Sequence, residues 1–224
     1  MSLGSRHSPR TETKEEEKVP NIYSGLVHIN GNMLASVDLE TTGRRPGWHE
    51  ILQIAVVPLN SDIRPLDGVR PFYHNIRPLH PERAEREASQ VHGLKLEDLI
   101  LHAPHPGKVA DLLREWWERL DLPAGKTLVP LAHNWAFESA FLTAWLGIDE
   151  KQTLFHSHAR DAFLLALSMN DRAAFAGEKL PFNKVGLGSL CRKFHVTNES
   201  PHDALSDALA EAEVYRAMVT MDLC

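Results

Sequence analysis

The segment SVDLETTG, residues 36–43, ends an apolar run and places two carboxylates close together. The residues just before it, MLASV, have the composition of a buried strand, and Asp38 and Glu40 continue that strand. Alternate residues of a strand face the same side, which places the Cα atoms of Asp38 and Glu40 roughly 6–7 Å apart. Two carboxylates aimed at one point repel each other, and burial raises their pKa values. The segment therefore predicts that a positively charged group binds at the end of a core strand.

The elements around this strand predict an α/β fold. Apolar patterning indicates strands over residues 33–39, 50–59 and 72–78, and turn-forming residues between the last two predict an antiparallel meander. A fourth strand is predicted over residues 126–134, and a short fifth one begins at residue 153. Helical spacing of apolar residues or terminal signals predict helices over residues 81–93, 106–120, 135–147, 186–196 and 202–221, and in the later part of 153–169. A meander followed by alternating strands and helices favours a mixed sheet with helices on its faces.

Length and composition predict one soluble domain. The chain has 224 residues, of which 43% are apolar, enough for a single core. Residues 1–25 contain few large apolar side chains and are expected to be a disordered leader before a folded domain over residues 30–222. No signal-peptide core and no long apolar run are present in the sequence, and Cys191 and Cys224 are too few for a disulfide framework. We therefore expect a cytoplasmic location.

The net charge restricts the possible partners. A formal charge of −6 argues against a protein that coats long duplexes through a broad basic face, because that kind of affinity comes from Lys and Arg. It remains compatible with an enzyme that holds a few nucleotides through metal ions.

Further acidic residues lie where they can join Asp38 and Glu40. Glu138 follows the fourth predicted strand by one helical turn, and strand ends in open α/β sheets commonly face a ligand crevice. His202 and Asp207 begin the last long helix. Four carboxylates and one imidazole form an oxygen-rich set that suits Mg²⁺ or Mn²⁺ better than zinc. Two such ions about 3.5–4 Å apart can stabilise in-line hydrolysis of a phosphodiester, and imidazole can act as a general base near neutral pH.

Three motifs together resemble those of the DnaQ-like, DEDDh group of 3′–5′ exonucleases. They are DLETTG, HNWAFE and HDALSDA, in this order, and the resemblance spans roughly residues 33–220. The segments ASQVHGL (88–94) and GLGSLCRKFHV (186–196) are also similar to segments of that family. The resemblance implies a ribonuclease H-like fold, in which the first three strands of a mixed five-stranded sheet form the antiparallel meander and the others are parallel.

The resemblance also implies roles for individual residues. Asp38 would bridge two metal ions, Glu40 and Asp207 would help to hold one of them, and His202 would be the general base. Four residues are implied in binding the terminal nucleotide: Thr41, Thr42, His92 and Asn134.

One position departs from the family pattern. Glu138 stands where the family usually has Asp. Its side chain is one methylene longer, so metal binding requires a small shift and the preferred metal or geometry can differ. We expect Glu138→Ala to abolish turnover and Glu138→Asp to be tolerated at least in part.

Several alternatives remain open from the sequence alone. The favoured function is a metal-dependent 3′–5′ exonuclease that acts on single-stranded nucleic acid, DNA in preference to RNA, and releases nucleoside 5′-monophosphates. The alternatives are an exoribonuclease of the oligoribonuclease or ribonuclease T type and a catalytically impaired module that binds nucleic-acid ends. A polymerase or repair partner and a homodimer are both compatible with the sequence. The loop with Arg44, Arg45 and Trp48 either contacts a phosphate or base or is simply solvated.

Overall fold

A computed structural model describes residues 30–221. The predicted leader, residues 1–25, lies outside the described part of the chain.

The described residues form a mixed five-stranded sheet. Its strands are β1 (Met33–Thr41), β2 (Ile51–Leu59), β3 (Phe72–Asn75), β4 (Leu128–Ala132) and β5 (Arg160–Asp161). The strand order is β3-β2-β1-β4-β5, with β1–β2 and β2–β3 antiparallel and β1–β4 and β4–β5 parallel. This arrangement confirms the predicted fold class, including the meander of the first three strands.

Eight helices are described within residues 30–221, together with a single 3₁₀ turn over Pro81–Arg83. They are α1 (Arg86–His92), α2 (Leu96–His102), α3 (Pro106–Glu118), α4 (Trp135–Leu146), α5 (Ile148–Leu154), α6 (Ala162–Phe175), α7 (Leu187–Phe194) and α8 (Ala204–Val219). No helix in this part of the chain is long and apolar enough to cross a bilayer.

The alternation along β1 divides the core between the two faces of the sheet. Ala35, Val37 and Leu39 pack in a cluster with α3 and α4, whereas Leu34 packs in a second cluster with α6, α7 and α8. Ser36, Asp38 and Glu40 share the face of Leu34, so the acidic residues point toward the side covered by α8. The strand therefore presents its carboxylates on the face of the sheet that α8 covers.

Two elements of the predicted secondary structure were placed wrongly. The helix predicted over residues 81–93 is interrupted, because Ala84 and Glu85 are extended and the Glu85 N–H donates to the Thr42 carbonyl at 2.7 Å. The strand predicted at residue 153 lies partly in helix α5, and Phe155 makes only an isolated bridge to Leu128. The fifth strand is instead the two-residue β5, which leads directly into α6.

Candidate metal centre and active site

The carboxyl ends of β1 and β4 bring the acidic residues together. These two strands are parallel neighbours, so their carboxyl ends lie on the same side of the sheet. Helix α4 begins just beyond β4. Glu138 lies in the first turn of α4, and Asp207 lies in the first turn of α8. Glu40, Glu138 and Asp207 are all buried. The fold thus brings together acidic residues from three segments that are distant in sequence.

Asp161 fixes the start of α4 on this side of the sheet. Its carboxylate accepts hydrogen bonds from the backbone N–H groups of Asn134 (3.2 Å) and Trp135 (2.8 Å), and it also caps α6 through Leu164 N–H at 3.0 Å. An acceptor at a helix N-terminus satisfies N–H groups that have no partner within the helix. One side chain therefore sets the position of α4, and with it Glu138.

Glu40, His202 and Asp207 form a group that can hold a metal ion. Each residue offers one ligand atom, and these atoms lie within 4.8 Å of one another. The set contains two carboxylates and one imidazole, which suits a hard divalent cation when water or a phosphate oxygen supplies further ligands.

Asp38 and Glu138 each have a buried carboxylate oxygen whose chemistry fits a cation. Asp38 Oδ2 and Glu138 Oε2 are buried and have no hydrogen-bond partner among residues 30–221. A buried carboxylate oxygen without a partner is costly, and such atoms in native structures commonly mark a bound ion or water. Both oxygens therefore fit a cation, and the longer Glu138 side chain still reaches the neighbourhood of Asp38.

The raised pKa values of the acidic residues show that the site favours bound positive charge. Burial, followed by the charge of Asp38, raises the pKa of Glu40 to about 9. Burial likewise raises the pKa of Asp38, with a contribution from Asp207, and it raises that of Glu138, with a contribution from Asp38. Within the described residues, none of the acids in this site pairs with Lys or Arg.

A fifth carboxylate at the site was missed in the sequence analysis. Glu211 of α8 is 1% exposed and accepts a hydrogen bond from Ser36 Oγ at 3.5 Å. Burial, together with the charge of Asp38, raises the pKa of Glu211. Glu211 follows Asp207 by four residues and so lies on the same helical face, which is the signal that could have identified it.

His202 lies at the mouth of the site. Its side chain is 52% exposed, and its Nδ1 atom is 3.9 Å from Asp207 Oδ2. The backbone N–H of His202 donates to the same oxygen at 3.2 Å, and Asn198 Nδ2 donates to Asp207 Oδ1. The imidazole is therefore accessible to solvent and lies beside the acidic cluster.

Thr41 is the last residue of the acidic strand and Thr42 follows it, and the hydroxyl groups of both take part in hydrogen bonds within the protein. Thr41 Oγ1 donates to the Gly43 carbonyl at 2.7 Å. Thr42 is 1% exposed; its Oγ1 accepts from Glu50 N–H at 2.9 Å, while its own N–H and carbonyl bond to Glu50 and Glu85. In this conformation Thr42 shapes the loop, and its burial keeps its hydroxyl group away from the solvent side of the site.

His92 and Asn134 have groups that can meet a ligand. His92 ends α1, its Nδ1 accepts from Leu94 N–H at 2.9 Å, and its Nε2 is buried without a partner in the described part of the chain. Burial and the charge of His202 lower the pKa of His92, so the neutral ring carries its proton on Nε2. Asn134 is exposed with φ of 89°, and its side chain does not cap α4.

The loop after Gly43 presents an aromatic side chain between two arginines. Trp48 is 47% exposed, and the guanidinium carbons of Arg83 and Arg45 lie 4.4 Å and 5.8 Å from its ring centroid. Trp48 and Arg83 also line a cavity of about 430 Å³ that reaches Phe141 and Trp145 of α4. The structure thus shows a packed cluster at this loop, in which Trp48 remains half exposed.

The comparison with protein families identifies the class of this chain. The family model described as "Exonuclease" (RNase_T) matches residues 36–215, a span that includes every acidic residue described above. The chain therefore belongs to this exonuclease family, which confirms the predicted family and class of enzyme. The comparison with curated proteins gave no match.

Solved structures share the fold. Escherichia coli Exonuclease I in complex with a dT13 oligonucleotide superposes with a TM-score of 0.64 at 16% identity, covering 84% of this chain and 41% of that one. The zinc-bound form of the E. coli Exonuclease I–single-stranded DNA complex gives 0.64 and 16%, with 85% and 41% covered. A 3′-exonuclease that recognises the histone mRNA stem-loop gives 0.62 and 17%, with 90% and 67% covered. This chain spans about two fifths of the length of Exonuclease I.

Proposed function

We propose that this protein is a metal-dependent 3′–5′ exonuclease that shortens single-stranded nucleic acid, DNA in preference to RNA, one nucleotide at a time. The observation that carries this proposal is the convergence of Asp38, Glu40, Glu138 and Asp207 beside an accessible His202, with two buried carboxylate oxygens that have no partner in the described residues. Membership of the exonuclease family supports the same reaction class.

Two Mg²⁺ or Mn²⁺ ions would be held by the acidic residues. Asp38 interacts electrostatically with Asp207, Glu40 and Glu138, and it would contribute to both ions. Glu40 and Asp207 would complete one site with His202 nearby, and Glu138 would contribute to the other. When bound, the cations neutralise the carboxylates and the scissile phosphate and stabilise the charge that develops during in-line displacement. An all-oxygen set of carboxylate ligands favours these hard cations.

His202 would act as the general base. Its exposed imidazole lies beside Glu40 and Asp207, where it can accept a proton from the attacking water. The water attacks the terminal phosphorus, the 3′ oxygen of the penultimate nucleotide leaves, and a nucleoside 5′-monophosphate is released.

The terminal nucleotide would be held by donors around the cleft. The Nε2–H group of His92 is buried without a partner in the described residues, and Asn134 is exposed, so both would donate to a sugar, base or phosphate oxygen. Thr41 and Thr42 would act mainly by fixing the loop that follows the acidic strand, since their hydroxyls are already bonded.

The direct test uses 5′-labelled single-stranded DNA and RNA of equal sequence, incubated with Mg²⁺, Mn²⁺ or EDTA. We expect a ladder of products shortened from the 3′ end, faster on DNA, and stopped by EDTA. Glu138→Ala should remove the ladder, whereas the matched substitution Glu115→Ala, on the exposed face of α3, should leave it unchanged.

Each other outcome identifies a different function. A faster ladder on RNA would favour the exoribonuclease alternative. Binding of labelled strands without shortening under either metal would indicate an end-binding module. Release of the 5′ label without a ladder, which indicates attack from the 5′ end, or cleavage that EDTA does not affect, would contradict the proposal.

A further inference from the structure

A chain of hydrogen bonds runs from strands β2 and β3 to the segment that carries His202. Gln53 lies on β2 in register between Glu40 of β1 and Asn75 of β3. Its Nε2 donates to Tyr73 Oη and to Asn75 Oδ1, both at 2.9 Å, and its Oε1 accepts from the Ala204 backbone N–H at 2.8 Å. A buried side chain of the sheet is thus bonded to the residue two positions after His202.

The direction of each bond in this chain is determined. Both N–H groups of the Gln53 amide are used by Tyr73 and Asn75, so its oxygen must face Ala204. Because Tyr73 accepts from Gln53, its own proton goes to Asp203 Oδ2. The other oxygen of Asp203 caps α8 through the N–H groups of Leu205 (3.2 Å) and Ser206 (3.1 Å). Because the side-chain hydrogen bonds of Gln53, Tyr73 and Asp203 form one connected network, they favour a single arrangement of these side chains.

The imidazole of His202 is held only weakly by its own contacts, although the backbone N–H of His202 donates to Asp207. The φ of His202 is 67°, a left-handed conformation that residues other than glycine rarely adopt and that persists only where the surrounding structure fixes it. The imidazole is half exposed, and its Nδ1 lies 3.9 Å from Asp207, beyond hydrogen-bond distance. The backbone of residues 202–204 therefore determines where the imidazole lies.

We propose that Tyr73 and Gln53 are positioning residues for His202. They bond to Asp203 and Ala204 and so hold the strained backbone at His202 in the conformation that places its imidazole beside Glu40 and Asp207. Neither residue needs to touch the substrate or a metal ion. This inference rests on the proposed role of His202 as the general base.

The test removes a single hydroxyl group with Tyr73→Phe. We expect kcat to fall by about tenfold, with KM and the half-saturating Mg²⁺ concentration changed by less than about twofold, because the base is misplaced while the metal ligands are not. Tyr215→Phe, which removes a hydroxyl from a buried position of α8, is the matched control and should leave all three parameters unchanged. Gln53→Glu keeps the acceptor for Ala204 and should lose less kcat than Gln53→Met.

The same substitution in a His202→Ala background separates positioning from a general structural role. We expect Tyr73→Phe to leave the residual single-turnover rate of His202→Ala unchanged, and Gln53→Met to accelerate amide hydrogen exchange at Ala204 in a protein with unaltered circular dichroism. An unchanged kcat in Tyr73→Phe, or an equal loss in both backgrounds, would overturn the inference. Full activity of His202→Ala by itself would instead refute the proposed base, whatever Tyr73→Phe does.

Discussion

The acidic cluster predicts that the stability of the metal-free protein falls as the pH rises above neutrality. Glu40 is buried beside Asp38 and Asp207, which raises its pKa to about 9 from the ordinary value of 4.5. Between these two values the folded protein keeps a proton that the unfolded chain has released. The stabilisation from this group is therefore fully present below the unfolded pKa and is lost as the pH rises toward 9.

The size of the change in unfolding free energy follows from the single proton that Glu40 keeps in the folded protein. Each pH unit within this range costs about 1.4 kcal/mol of unfolding free energy for a single such group, so a rise from about pH 7 to about pH 8.5 costs up to about 2 kcal/mol. The pKa values of Asp38, Glu138 and Glu211 are raised too, and these residues act in the same direction. The histidines with lowered pKa are uncharged throughout this window in the folded protein and largely so in the unfolded chain.

The assay is urea unfolding in EDTA and in Mg²⁺ across this pH window. A cation that binds only the folded protein at a hundred times its dissociation constant adds about 2.7 kcal/mol, and it competes with the protons on the carboxylates. The stabilisation by Mg²⁺ should therefore grow with pH, while Glu40→Gln should reduce the slope measured in EDTA. Asp171→Asn, an exposed acid of α6, serves as the control and should keep the wild-type slope.

Two results would refute this reasoning. One is a free energy of unfolding in EDTA that stays constant or rises between neutral pH and pH 8.5. The other is a stabilisation by Mg²⁺ that is equal at every pH, because a site whose ligands must lose protons cannot bind its cation with constant affinity.

Substitutions at three positions test individual parts of the site. Glu138→Ala should lower turnover by about 10²-fold or more without unfolding the protein, and Glu138→Asp should keep part of the activity. Full activity of Glu138→Ala at limiting metal would exclude this residue from the site. Glu211→Gln keeps an acceptor for Ser36 and removes a charge beside Asp38, so it should stabilise the protein in EDTA near pH 8 and retain turnover within about tenfold; a loss as large as that of Glu138→Ala would instead make Glu211 a metal ligand. Thr42→Val leaves the Glu50 N–H without its acceptor and should cost about 1–3 kcal/mol in urea unfolding, a cost that Thr143→Val, whose hydroxyl bonds within α4, should not share.

The parts of the fold that depend on local patterns could be predicted from the sequence. The alternation in residues 33–41 gave both the buried strand and the shared face of Asp38 and Glu40, and that face is the one toward which α8 packs. The helix predicted over residues 81–93 was wrong because the backbone N–H of Glu85 bonds to the distant Thr42 carbonyl, which interrupts the local helical pattern. The two-residue strand β5 is too short to produce an alternation of its own, and its pairing with β4 depends on tertiary position.

The acidic site itself shows the same division between local and long-range information. Asp38, Glu40, Glu138 and Asp207 could be found because each lies at a strand end or in the first turn of a helix, where the chemistry of open sheets is expected. Glu211, Gln53 and Tyr73 lie inside regular elements, and their importance depends on partners 175, 151 and 130 residues away in sequence. Glu211 adds a buried carboxyl to the acidic cluster, and the role proposed for Gln53 and Tyr73 is to hold the backbone at His202. Burial is the largest cause of the raised pKa of Glu40, followed by the charges of Asp38 and Asp207. A cation that neutralises these charges therefore gains binding energy from a repulsion that the fold has already created.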